Sequence, residues 1–176
     1  MKKQISLGLI LFMTLLSVAM YAQDNKKEDK SKRPSPPAKA EGTIDGAKIV
    51  IDYSAPSAKG RKMLGGLEPF GKVWRTGANE ATTFVVDKDV KIEGKSLPKG
   101  KYALFTIPGE AEWTIIFNKT ADQWGAYDYK ESEDALRATV KAGKTEKFVE
   151  TFKISIEGSR VVLRWENTQV AFAVKG

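Results

Sequence analysis

Cysteine and histidine are both absent from the 176 residues of this chain. Without cysteine there is no disulfide, no thiolate metal site, no lipid-modified cysteine and no cysteine nucleophile. Without histidine, Ser-His-Asp catalysis, histidine-based zinc sites and a histidine pH switch are excluded. We therefore expect a domain that is stabilised by its own hydrophobic core, and we expect neither a metal ion nor a cofactor.

The first 22 residues have the composition of an export signal. Lys2 and Lys3 precede an apolar stretch, 5–18, that is too short to span a bilayer stably. The predicted cleavage follows a small residue, Ala22, and cleavage after Ala19 is the alternative. The pattern predicts a periplasmic or secreted protein whose mature chain has no transmembrane segment.

The next segment, 23–42, is charged, contains prolines and has no large apolar residue. Such a segment cannot bury enough surface to offset the entropy of ordering it, so we interpret it as a disordered linker. The remaining residues, 43–176, are predicted to form one domain. They hold 21 basic and 18 acidic residues, which is an ordinary surface charge and does not favour binding to nucleic acid.

Apolar residues alternate with polar ones through most of 43–176, which is the period of β-strands. Ile49, Ile51 and Tyr53 are one example, and the stretch 101–107 is apolar on both faces, as in a central strand. Turns are predicted at 93–94, 97–100, 158–159 and 167–168, and one short helical turn at 131–136. Eight to ten short strands predict an all-β fold, specifically a single antiparallel β-sandwich or jelly-roll-like domain.

Two stretches interrupt the alternation, 54–81 and 118–129. Long loops in a compact domain are where binding and catalytic residues are concentrated. We therefore expect the groups that carry the function to lie in these two loops.

Several motifs, in order, resemble those of domain-of-unknown-function family 2911, a family of exported proteins of Gram-negative bacteria. The motifs are YSAPSAKGRKMLGGLEPFGKVWRTGANEATT, LPKGKYALFTIPG, EWTIIFNK and QWGAYDY. The resemblance runs from about Gly46 to Val174. It implies export, a β-rich fold and importance of the WRTGANEAT segment, and it implies no substrate.

The segment that begins at Trp74 contains side chains suited to polar recognition. Arg75 offers a planar fork of donors for a carboxylate or phosphate, and Asn79 offers both a donor and an acceptor. Glu80 can orient Arg75 or accept from a ligand hydroxyl, and Trp74 can stack on a sugar or hold the loop to the core. Arg61, in the same long loop, is a candidate second arginine for a small anion.

A structural interpretation of the same residues stays open. Arg75 could form an internal ion pair with Glu80 or Asp52 and so fix the loop to the sheet. Asn79 would then satisfy loop carbonyl groups, because irregular loops carry many backbone groups in need of partners.

The second loop carries a cluster of aromatic residues. Trp124 and Tyr127 could form a platform for carbohydrate, or Trp124 could pack over one end of the core. Trp113 and Trp165 lie in alternating strands and are predicted to be core residues.

A binding module is the function that these observations favour, because the usual acid–base and nucleophilic residue types are missing. Its predicted ligand is a small polar or anionic molecule, a carbohydrate or another envelope component, bound through the loops 54–81 and 118–129. The predicted ligand-binding residues are Arg61, Trp74, Arg75, Asn79, Glu80 and Trp124. Two alternatives remain: a glycan hydrolase that uses two carboxylates, and a structural or assembly protein whose loops satisfy themselves. The sequence carries no indication of oligomeric state.

Overall fold

A computed structural model describes residues 28–176; the predicted signal peptide and residues 23–27 lie outside this range. The described chain contains nine strands and two short 3-10 turns, and among these residues no helix has the length and apolarity needed to cross a membrane. The 3-10 turns are Lys30–Lys32 and Glu131–Glu133. The strands are β1 (Pro37–Ile44), β2 (Ala47–Ser54), β3 (Thr83–Val86), β4 (Val90–Ile92), β5 (Lys95–Leu97), β6 (Gly100–Ile107), β7 (Glu112–Asn118), β8 (Asp134–Glu157) and β9 (Arg160–Lys175).

The nine strands form one antiparallel sheet in the order β1-β2-β3-β6-β7-β8-β9-β4-β5. The prediction of an all-β fold is confirmed. All nine strands are connected by hydrogen bonds into one sheet, and two separate packed sheets are not distinguished. The more specific prediction of a β-sandwich or jelly roll therefore stays a prediction. The stretch 101–107 lies in β6, between β3 and β7, and five of the eight residues of that strand are buried.

The main core collects the inward-facing residues of most strands. Ile49 and Ile51 of β2 are fully buried, as their alternation predicts. Phe84 of β3 packs against Phe117 of β7 with ring centroids 5.0 Å apart and lies 6.5 Å from Phe172 of β9. The two ends of the sheet therefore share one hydrophobic interior.

The sheet begins earlier than the sequence pattern predicts. Residues 37–42, which the composition assigns to the linker, lie in β1, which pairs with β2 over its whole length. The pattern is weak because the inward-facing positions, Ala38, Ala40 and Gly42, have small or no side chains. A Cβ atom added at Gly42 would lie only 3.1 Å from the side chain of Ile156 of β8. The close packing of β1 against β8 therefore favours a residue without a side chain at this position.

The turn predicted at 167–168 is wrong, because both residues lie inside β9, where Thr168 pairs with Lys144 of β8. The strand instead contains an irregularity at Glu166, which has a positive φ of 53° and pairs with Val149 across a shift in register. The carboxylate of Glu166 accepts the backbone N–H groups of Met63 and Leu64, each at 2.9 Å. The sequence predicted a turn because an irregular stretch of strand that binds a distant loop contains the same polar residues as a turn.

Candidate functional site

The two long loops meet each other through their backbones. The N–H of Ala81 donates to the carbonyl of Gln123 at 3.0 Å, and the N–H of Gly125 donates to the carbonyl of Asn79 at 3.1 Å. Glu80 lies between these bonds and forms a β-bridge with Trp124. We call residues 75–82 and 123–127 together the loop junction.

A second, smaller hydrophobic core supports the junction on β6 and β7. Its buried members are Ala81, Ala103, Phe105 and Ile116, and the partly buried Val73, Ile107, Ala126 and Tyr129 pack against them. Phe105 contacts Tyr129 edge-to-face, with centroids 5.1 Å apart, and the hydroxyl of Tyr129 donates to Asp134. These contacts hold both loops on the face of the sheet opposite the main core.

Trp74 is a core residue and is not available to a ligand. Its side chain is 3% exposed and stacks on Trp165, and its indole N–H donates to the carbonyl of Gly77 at 3.0 Å. Its backbone pairs with Thr106 of β6 through two hydrogen bonds. Of the two roles considered for Trp74, the structure therefore places it in the second, holding the loop to the core.

The residues after Arg75 form a tightly supported turn. Thr76 is fully buried with a positive φ of 56°, and its carbonyl accepts from the hydroxyl of Thr82 at 2.7 Å. The next residue, Gly77, lies so close to Ser54 that an added Cβ atom would be 2.9 Å from its carbonyl oxygen. The turn is thus fixed by buried polar contacts, and Arg75 stands at its start.

Asn79 and Glu80 are engaged by residues 28–36, which we call the strap. The side-chain amide of Asn79 donates to the carbonyl of Ser35 at 3.1 Å. The carboxylate of Glu80 accepts from Lys30 at 2.7 Å and from Arg33 at 2.8 Å. The structural alternative in which Arg75 pairs with Glu80 is therefore wrong, because Glu80 is paired with the strap.

The strap also sets the protonation of Glu80. Burial raises the pKa of the Glu80 carboxyl, but the hydrogen bonds from Lys30 and Arg33 outweigh this effect and lower the pKa to about 2. Glu80 is consequently ionised at any physiological pH, and it attracts cations.

Arg33 is the most enclosed cation of the strap, with a side chain that is 12% exposed. Its guanidinium lies 5.8 Å from the ring centroid of Trp124 and also binds the carboxylate of Glu28. Trp124 itself is 53% exposed and Tyr127 is 81% exposed. The packing interpretation of Trp124 is therefore wrong, and one face of its ring carries a cation.

The guanidinium of Arg75 forms no ion pair with any side chain among residues 28–176. Its Nε atom is buried without a hydrogen bond, whereas the rest of the side chain is only partly covered. Its Nη1 atom lies beside Gly125, where an added Cβ would be 3.2 Å from Nη1 and 2.8 Å from the ring of Tyr127. Asp52, the other predicted partner, is paired with Lys39 instead.

Glu68 is the acid whose ionisation Arg75 influences. Burial raises the pKa of the Glu68 carboxyl, and the positive charge of Arg75 partly offsets the rise. The two side chains form no ion pair within 4.0 Å in the described chain. An arginine with an unused donor therefore lies near an acid whose pKa is raised by burial.

Arg61 does not join Arg75. Its guanidinium donates to the carbonyls of Ala58 and Ser57, both at 2.9 Å, and so closes its own part of the loop. The residues 28–176 contain no group of three or more acidic side chains placed to hold a metal ion. The site residues that the structure brings together are therefore Asn79, Glu80 and Trp124, with Arg75 next to them.

Lys30 and Arg33 are the participants that the sequence pattern missed. Both lie in the segment predicted to be a disordered linker, where a charged composition hides specific contacts. The sequence of this segment shows only mixed acidic and basic residues before a Pro-Ser-Pro-Pro stretch. Such a composition does not indicate that Arg33 pairs with Glu80, which lies 47 residues further along the chain.

Comparison with known proteins supports a family and not an activity. No curated protein and no solved structure matches the chain. A family model described as protein of unknown function (DUF2911) matches residues 35–174, which include β1 and both long loops, and the chain belongs to that family.

Proposed function

We propose that this protein is an exported binding module that holds a small carboxylate ligand at Arg75. Export rests on the sequence of residues 1–22, which predicts a cleaved signal and a periplasmic or secreted location. The observation that carries the binding proposal is that the partly exposed Arg75 side chain has no hydrogen-bond partner among residues 28–176, and that its Nε atom is also buried without one. Buried donors normally have partners, and an orphan donor in a loop is a candidate for contact with a ligand.

The geometry around Arg75 favours a ligand from solvent. The guanidinium has five donors in one plane, and a carboxylate can accept from two of them at once. Its Nη1 atom lies beside Gly125 and the highly exposed Tyr127, where a Cβ atom added at Gly125 would lie 2.8 Å from the tyrosine ring, so only glycine fits between the two side chains. A ligand could thus form a forked pair with Arg75 while its carbon skeleton contacts the ring of Tyr127.

Glu68 favours a carboxylate over a phosphate. A phosphate monoester carries up to two negative charges at neutral pH, and a carboxylate carries one. Because a nearby acid repels the more highly charged anion more strongly, the partly buried Glu68 selects against phosphate.

The structural alternative has support at other residues. Trp74, Asn79 and Arg61 are all engaged by the protein itself. We therefore assign these three to the scaffold and remove them from the proposed contact set. The hydrolase alternative needs two facing acids with one raised pKa; Glu68 has the raised pKa, but the charged group that acts on it is Arg75.

The test is a thermal-shift and calorimetric screen with carboxylates of two to six carbons, inorganic phosphate and neutral sugars. At a concentration 100 times its Kd, a ligand adds about 2.7 kcal/mol to the free energy of unfolding. For a domain of this size that raises Tm by roughly 5–10 °C. We expect such a shift with carboxylates, a smaller one with phosphate and none with neutral sugars.

Three variants make the test specific to the site. Arg75→Gln removes the charge and should abolish the shift, whereas Arg61→Gln alters an arginine of the same loop that is already occupied and should preserve it. Arg75→Lys keeps the charge without the fork and should weaken binding severalfold. Carboxylate binding that survives Arg75→Gln, or a complete lack of binding by the wild-type protein, would contradict the proposal.

A further inference from the structure

Glu80 and Trp124 form an acid–aromatic pair that is already occupied by a guanidinium. Arg33 donates to Glu80 at 2.8 Å and lies over the ring of Trp124 at 5.8 Å. A carboxylate that accepts from the fork, together with an indole face that attracts positive charge, is a chemical combination that recognises guanidinium groups. The backbones of the two residues are held together by the isolated β-bridge between their loops, in which Arg33 takes no part.

The occupant lies outside the family domain, whereas the site lies inside it. The family match begins at residue 35, after Lys30 and Arg33, and includes Glu80 and Trp124. The loop junction that positions the pair depends on Ala81, Gln123 and Gly125, all within the match. The domain thus builds the pair without needing the strap that fills it here.

The surroundings of Glu80 have room for more than one cationic group. A cavity of about 170 Å³ lies beside it and is lined by Lys30, Asp52, Tyr53 and Ser54, among others. Asp52 is a second carboxylate on its wall and is paired with Lys39 at 3.5 Å, so the wall carries both signs of charge. The chain of a ligand attached to the guanidinium could extend into this space.

We propose that Glu80 and Trp124 are a binding site for the guanidinium of an external ligand, such as an arginine side chain of a peptide, and that Arg33 is an internal competitor for it. This site is separate from the anion site at Arg75, and neither proposal depends on the other. Lys30 and Glu80 are exposed, 53% and 38% respectively, and exposed ion pairs contribute little to stability. Arg33 is more enclosed, with 12% of its side chain exposed, so an external guanidinium has to displace it from Glu80 and Trp124.

The competition can be removed by substitution. In the full chain, Lys30→Gln combined with Arg33→Gln empties the pair and leaves Glu80 and Trp124 unchanged. A short tether gives an attached group an effective concentration of the order of millimolar, so its removal should tighten binding of an external guanidinium at least about tenfold. The probe is agmatine, compared with potassium chloride at the same ionic strength.

Tryptophan fluorescence reports the binding, because Trp124 is exposed and the other three tryptophans are buried. We expect a saturable change with agmatine in the double variant and an at least tenfold weaker one in the wild-type protein. Adding Glu80→Gln to the double variant should abolish the change, and Arg75→Gln should leave it intact. This last result separates the guanidinium site from the anion site.

A second measurement uses the wild-type protein and therefore does not depend on how the variants fold. In NMR spectra, agmatine at high concentration should shift the Arg33 Nε–H signal towards that of a free guanidinium. The proposal is overturned if the double variant shows no saturable response, if the response persists after Glu80→Gln, or if the Arg33 signal is unaffected by agmatine.

Discussion

Trp74 stacks on Trp165, with ring centroids 5.5 Å apart and planes inclined by 14°. The contact joins the long loop before β3 to the last strand, so it fixes the base of the loop junction on the main core. Trp113 and Phe152 pack on the same indole at 6.1 and 5.1 Å. The rigidity of the junction therefore depends on an aromatic group that no ligand touches.

Trp74→Ala should be among the most destabilising substitutions in the protein. It opens a cavity among three aromatic side chains, and such truncations cost about 3–5 kcal/mol. Trp74→Phe should cost less but leave the carbonyl of Gly77 without its donor. Urea denaturation measures both effects. Trp124→Ala, at an exposed position, is the control and should cost about 1 kcal/mol or less; equal losses at the two positions would contradict the assigned roles.

Glu166 holds the start of the long loop from a bulge in β9. Glu166→Gln replaces one carboxylate oxygen with an amide that cannot accept, so one of the N–H groups of Met63 and Leu64 loses its partner. We expect a loss of about 2 kcal/mol in the free energy of unfolding. The control is Glu146→Gln, which changes an exposed acid of the neighbouring strand that makes no hydrogen bond among the described residues. A negligible effect of Glu166→Gln would mean that the loop is held elsewhere.

Acid should weaken the protein over a defined pH range. The pKa of Glu80 is lowered to about 2 by the strap, and hydrogen bonds from Arg164 and Ser155 lower the pKa of Glu157 to about 2. Because these folded-state values lie below the ordinary 4.5, the stabilisation is complete above about pH 4.5 and is lost as the pH falls towards 2. The measurement is the urea midpoint between pH 6 and pH 2.5.

A variant separates these two groups from other acids. Glu80→Gln combined with Glu157→Gln removes both titrations, so its urea midpoint should fall less steeply below pH 4.5 than that of the wild-type protein. An identical acid profile would show that neither carboxylate is stabilised in the folded state.

The alternation of apolar residues was sufficient to predict the class of fold and much of the core. Ile49, Ile51, Trp113 and Trp165 all face inward as expected, because a buried strand repeats every two residues. The same signal fails in β1, where alanine and glycine replace the large apolar side chains. Small residues suit a crowded edge but resemble a linker in composition.

The partners of the loop residues could not be predicted in the same way. Glu80 pairs with Arg33, and Glu166 binds Met63 from 103 residues away. Polar contacts of this kind do not repeat along the sequence, and they form only between side chains that the folded chain brings close together. The sequence alone therefore does not indicate which residues are partners. Recognising the WRTGANEAT segment was enough to locate the junction, but it did not indicate that Glu80 pairs with Arg33 and Lys30.

Glu68→Gln should tighten the binding of a carboxylate at Arg75. The substitution removes a like charge from the neighbourhood of the ligand, and Glu68 influences Arg75 through charge rather than through a close ion pair. A single charge at this range changes affinity by about threefold to tenfold. Titration calorimetry at pH 7 measures the change, and the difference between wild-type and variant should shrink as the pH falls and the Glu68 carboxyl is protonated. Unchanged or weaker binding by the variant would contradict the repulsion assigned to Glu68.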